Sequence, residues 1–258
     1  QTGGGCRASN YISLLRKALK KSGHENVPVI SFSLSSIEKH PGFSLTPAML
    51  YKMLYGAVYG DLIANLKNQC KPYEKFNGDT DALCELYTEK TVRHMQEDKL
   101  FFLKAKDGFS EIVQAFKNIK MERTPKIRVG VVGEIFVKYS PLGNNNLEKF
   151  LLGEGAEVVC PGLLDFCMYS VYTAISDCKL YGMKKSKQLV SHIFYRVLEK
   201  LQRQLTEAIA QAGIFDVPTP FENIKRSASR FIGTGAQMGE GWLLPGEMIE
   251  LYEKGVKN

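Results

Sequence analysis

TGGGCRASNY, residues 2 to 11, places a thiol directly after three glycines and just before a helix-forming run. Glycine reaches positive φ and carries no Cβ, so Gly3, Gly4 and Gly5 let a bulky group approach the peptide backbone. A helix starting near Ala8 puts Cys6 at its positive end, where unpaired N–H groups favour an anion. The thiolate is such an anion, and it is the form that ligates metals. Two carboxylates stand out in the same way. Glu134 follows Gly133 in GVVGEIF, at the carboxyl end of an expected strand, where it could act as a general acid or base. Glu240 lies beside Trp242, the single tryptophan, in GTGAQMGEGWLL, whose glycine density predicts close approach of the backbone to another group.

The other cysteines carry weaker signals. Cys70 and Cys84 fall in helical segments and read as buried apolar fillers, while Cys160, Cys167 and Cys178 are spaced too loosely to mark a metal site. Cys160 is the best candidate of the three, because it closes a strand. With no CxxC and no tight framework, the six cysteines are expected as free thiols. The four histidines form no HxxxH or HExxH pair, and GxSxG is absent, so neither a zinc hydrolase nor an esterase is supported. GVVGEIF lacks the GxGxxG pattern and the lysine of a P-loop, which leaves a tight strand-to-helix turn as its plainest reading.

Around these residues the pattern predicts mixed α and β elements. Residues 8–22 read as a helix, 27–34 as a buried strand, and the run from Thr46 as a long helix with proline at its first position. Two amphipathic helices are expected over 80–97 and 109–120, separated by a loop at Asp107-Gly108, and MERTP (121–125) has the character of a linker. A strand at 127–132, a short helix opened by Asn144 to Asn146, and a strand in AEVVCPG follow in β-turn-α-β order. That order predicts a parallel sheet with ligands beyond the carboxyl ends of its strands. The rest reads as helices over 165–212 and around the glycine-rich loop. The expected class is α/β, with two Rossmann-like parallel-sheet units and many helices. The division expected is 1–124 for the end of a first α/β domain with a helical segment, and 125–258 for a second.

Composition sets outer limits. At 258 residues, 44% hydrophobic and 24% charged, the chain can bury a sound core. No apolar run reaches the roughly 18 residues of a membrane span, and the start lacks the order of a signal peptide, so a cytoplasmic protein is expected. The net charge of +7 suits an anionic partner, yet KALKK and MKKSK read as solvated helix faces, and no nucleic-acid signature accompanies them. The missing initiator methionine and the abrupt ends predict a piece of a longer protein.

In order along the chain, TGGGCRASNY, YGDLIANLKNQCKPYE, VGVVGEIFVKYSPLGNNNL, CPGLLDF and GEGWLLPGEMIEL resemble the CoA-substrate-specific enzyme activases, in the region related to 2-hydroxyacyl-CoA dehydratase subunits. The resemblance covers nearly the whole chain. It implies two Rossmann-like domains facing a cleft that holds an iron–sulfur cluster, 4Fe-4S or double-cubane, reduced by an ATP-dependent activator. By the same resemblance Cys6 is a cluster ligand, while Gly3, Gly4, Gly5, Arg7, Gly133 and Trp242 border the cofactor, and Glu134 and Glu240 are catalytic candidates. The implied activity is that of a dehydratase-like lyase or a low-potential reductase component. The implied partners are the activator, an acyl-CoA and a second copy of the chain. The family's next cysteine motif would follow Asn258, so this stretch is expected without metal or activity of its own. Two other readings stand beside it: a non-catalytic scaffold docking the activator to a separate dehydratase, and a nucleotide-binding domain using the GVVGE turn.

Overall fold

The computed structural model describes residues 10–30, 46–97, 104–182 and 185–256. They divide into two compact units, residues 1–52 and 53–258, with the long helix α2 (Pro47–Cys70) crossing the division. In the first unit, helix α1 (Tyr11–Lys21) ends at Gly23, whose φ of +76° is of the left-handed kind that suits glycine after a helix. Residues 27–30 form no strand, and the remainder of the expected strand at 31–34 lies outside the described residues.

Helix α2 begins as its sequence requires. Pro47 occupies the first turn, and the Thr46 hydroxyl accepts the Met49 N–H at 3.2 Å. Val58, Leu62, Leu66 and Cys70 recur at helical spacing and are fully buried. Next come α3 (Asp79–Glu97) and α4 (Ala105–Lys117). The turn expected at Asp107-Gly108 is instead inside α4. A Cβ at Gly108 would sit 2.5 Å from the Tyr59 hydroxyl oxygen, so glycine is there to let α4 close on α2.

Strands β1 (Arg128–Gly130) and β2 (Glu157–Val159) pair in parallel, Val129 opposite Val158, and between them run α5 (Ile135–Tyr139) and α6 (Leu147–Gly153). The asparagines between these helices behave as turn and cap residues: Asn145 and Asn146 take positive φ, and Asn144 Oδ1 accepts the Leu147 N–H. Helices α7 (Leu163–Leu180), α8 (Lys185–Ala212), α9 (Phe221–Ser229) and α10 (Leu243–Glu253) complete the chain. The principal helix packing joins α7 with α8, α9 with α10, and α4 with α8.

The described residues are thus mostly helical, with one small two-stranded parallel sheet, and they are not clearly two Rossmann-like units. Within the second compact unit α4 packs against α8. No helix among the described residues is long and apolar enough to cross a membrane.

Candidate functional site

Beyond the carboxyl end of β2 the chain turns through Cys160, Pro161 and Gly162 into α7, and a recess of about 90 Å³ opens there. Its walls come from α2, β1, β2, the start of α7, α8, the loop at 216–219, α9, α10 and Lys254. This is the place that parallel strand order predicts for a ligand.

Asp61 of α2 organises the turn. Its two carboxylate oxygens accept the N–H groups of Leu163 and Leu164 at 2.8 and 2.7 Å, capping α7 from a residue 102 positions earlier. Gly162 makes this possible, since a Cβ there would lie 2.7 Å from Asp61 Oδ2. Burial pushes the Asp61 carboxyl up to about 6, against the lowering effect of the two backbone donors and Lys138. Deeper in, Asp165 accepts from Gln202 Nε2 at 2.8 Å, and burial raises its carboxyl well above the ordinary range. Cys160 also lines the recess, and burial pushes its thiol up to about 12, so it stays protonated at neutral pH.

The strand end of the recess is held by an ionic lattice. Glu157 accepts from the Tyr73 hydroxyl at 2.6 Å and from Arg128 Nε at 2.9 Å, and Arg128 Nη2 reaches Asp216 Oδ2 at 2.5 Å. Gln69 Oε1 accepts the Asp216 N–H at 2.7 Å. Behind α5, Lys138 donates to both oxygens of Glu247 at 2.9 and 3.0 Å, with side chains 3% and 0% exposed.

Glu134 and Glu240 come together at the start of α5 rather than at this recess. Glu134 Oε2 accepts the N–H groups of Phe136 and Val137, and Glu240 Oε1 accepts that of Ile135 at 3.2 Å. Both carboxylates are therefore engaged in starting a five-residue helix. Glu240 takes a φ of +65°, its Oε2 is buried without a hydrogen-bond partner among the described residues, and burial raises its carboxyl. Gly133 faces open space. Trp242 is fully buried against Tyr169, Tyr172 and Phe221, with ring centroids 5.1 to 5.8 Å away. The close approach predicted from the glycines nearby is to the chain itself: a Cβ on Gly241 would sit 2.1 Å from the Ala236 carbonyl oxygen.

Gly3, Gly4, Gly5, Cys6 and Arg7 lie outside the described residues. Among the described residues no group of three or more His, Cys, Asp or Glu side chains is arranged to hold a metal ion. Those residues alone do not fit a four-iron cluster, which requires several cysteine thiolates around one site.

Sequence reasoning did not single out Asp61, Asp165, Gly162 or the Lys138–Glu247 pair. One signal for Asp61 was available: it is the only acidic residue in the 24-residue α2. Comparison with protein-family models, with curated proteins and with solved structures yields no match.

Proposed function

We propose that the chain is the electron-accepting module of a 2-hydroxyacyl-CoA dehydratase/activase-like system that supports ATP-dependent low-potential reduction, built on two Rossmann-like units. The observation that carries this reading is the ordered run of five motifs from TGGGCRASNY to GEGWLLPGEMIEL. A parallel strand pair with a recess at its carboxyl end is compatible with it, and Cys160, Pro161, Gly162, Leu164 and Asp165 of CPGLLDF line that recess. In this reading Cys6 is one ligand of the iron–sulfur cluster, and the remaining ligands come from outside the described residues. The cluster supplies one-electron chemistry when bound, while the protein supplies thiolates, hydrogen bonds and exclusion of water.

The test is anaerobic iron–sulfur reconstitution of the natural full-length protein, wild type beside Cys6→Ser, followed by iron analysis and EPR. Loss or alteration of the cluster signal in the variant is expected. Equal iron content and an unchanged spectrum reject Cys6 as a ligand.

A second reading, a scaffold or regulatory domain that docks the activator ATPase to a separate dehydratase, is favoured by the engagement of Glu134 and Glu240 in helix starts. Saturable association with the activator, with no cluster formed on reconstitution, selects it.

A further inference from the structure

The recess beyond β2 holds more negative than positive charge. The carboxylates of Asp61, Glu157, Asp165, Asp216 and Glu250 stand in its wall with only Arg128 and Lys254 to balance them. Both cations are already taken: Arg128 bridges Glu157 and Asp216, and Lys254 pairs with Glu250 at 2.8 Å. Lys138, which lies behind α5, is held by both oxygens of Glu247. Asp61 and Asp165 therefore have no ion-pair partner among the described residues.

These two carboxylates differ in what they leave open. Asp61 uses both oxygens on the N–H groups of Leu163 and Leu164. Asp165 is only 7% exposed and lines the recess, and Gln202 Nε2 bonds to its Oδ1 alone. Its Oδ2 accepts no hydrogen bond among the described residues, and it is not sealed away from the recess. A buried carboxylate with an open oxygen and no counter-charge is unfavourable until a cation or a proton reaches it. The raised carboxyls of Asp61 and Asp165 express that deficit.

The rest of the wall selects the kind of cation. A hard divalent ion needs about six oxygen ligands, whereas no three His, Cys, Asp or Glu side chains among the described residues are arranged around one point. An ammonium needs fewer partners. Its three N–H donors can be met by one carboxylate oxygen together with neutral oxygens, and Thr206 and Thr219 stand in the same wall. Val159, Leu205, Val217, Ile224 and Leu251 offer hydrocarbon to an aliphatic stem. A recess of about 90 Å³ admits a group of a few heavy atoms.

We propose that the recess binds a primary alkylammonium group, with Asp165 as its counter-ion. None of these wall residues is a cluster ligand in the redox reading, so the two stand or fall separately.

The experiment is an NMR titration of the ¹⁵N-labelled protein with ethylammonium at constant ionic strength. Ethanol and acetate serve as neutral and anionic probes of similar size, and potassium and magnesium chloride as metal-ion probes. Ethylammonium is expected to shift the Gln202 side-chain amide and the backbone amides of residues 163–165 saturably, with at least tenfold weaker effects from the other four. Asp165→Asn keeps an oxygen for Gln202 and removes only the charge, and it should weaken ethylammonium binding at least tenfold. Should that variant fail to fold, the comparison of ethylammonium with ethanol on the wild-type protein decides. Shifts that do not saturate, equal binding of ethanol, acetate or either metal ion, or undiminished binding in the folded variant would overturn the proposal.

Discussion

Replacing Lys138 with methionine should be among the most damaging single changes in the second compact unit. The ammonium lies about 3 Å from each oxygen of Glu247, and neither side chain reaches solvent to any extent. At an effective dielectric of about 20, charges at that separation attract by about 5 to 6 kcal/mol, against a desolvation cost of several kcal/mol for each ion. The intact pair is therefore close to balanced. Removing the cation leaves the desolvation cost of Glu247 with nothing to offset it, and a loss of about 3 to 5 kcal/mol at pH 7 is expected. Burial already raises the Glu247 carboxyl and Lys138 holds it down, so the variant should shift it further up. Its deficit should consequently shrink as the pH is lowered and Glu247 becomes neutral. The double variant Lys138→Met with Glu247→Leu removes both ions, and it should recover most of the lost stability. Urea denaturation followed by circular dichroism at pH 5 and pH 7 measures all three proteins. If the single and double variants lose the same amount, with no dependence on pH, the damage is one of packing and the electrostatic reasoning fails.

Other predictions concern the recess and the helices around it. Gly108→Ala should destabilise by about 1 to 3 kcal/mol, because its methyl would meet the Tyr59 hydroxyl oxygen at 2.5 Å. In a Tyr59→Phe background the nearest ring carbon is 3.4 Å away, and the same change should become neutral or stabilising by about 0.5 to 1 kcal/mol; thermal melts of the four proteins decide. Asp61 is raised from 3.8 to about 6, so its proton is held more tightly in the folded protein than in the unfolded chain. The stability it contributes is full below about pH 4 and is lost as pH rises through about 6, a difference of roughly 3 kcal/mol. Asp61→Asn should flatten that part of the stability profile, and an unchanged slope between pH 4 and 7 would show that the carboxyl titrates normally. Trp242→Ala empties the centre of an aromatic cluster and should cost about 3 to 5 kcal/mol, whereas Trp242→Phe should cost less; equal losses in denaturant melts would mean that the indole volume is not what the cluster needs.

Local chemistry was legible in the sequence wherever neighbours along the chain settle the outcome. Thr46 and Pro47 announce the start of α2, the asparagines at 144–146 announce a turn into α6, and the order of β1 and β2 predicts their parallel pairing. Asp107-Gly108 misleads, because a dipeptide typical of turns is continued as helix by Tyr59 from a distant part of the chain. Distance along the chain also hid Asp61, whose partners are 102 and 103 residues away. Glu134 looked like a carboxylate awaiting a substrate, since the sequence shows the acid after a glycine but not the three N–H groups of α5 that it shares with Glu240. The strand pattern at 27–34 indicated burial, yet residues 27–30 are irregular.

A cap accepted by a residue so far away makes the start of α7 depend on the docking of α2. The Leu163 and Leu164 N–H groups have only water as a partner until the later half of α2 has docked, whatever the intrinsic helicity of the α7 segment. A protein cut at residue 124 would consequently leave its carboxyl-terminal piece with a frayed helix start beside β2, and adding the excised α2 segment as a separate peptide should restore it. Any side chain at position 162 would meet the Asp61 carboxylate at 2.7 Å, so glycine is required there for as long as Asp61 makes the cap.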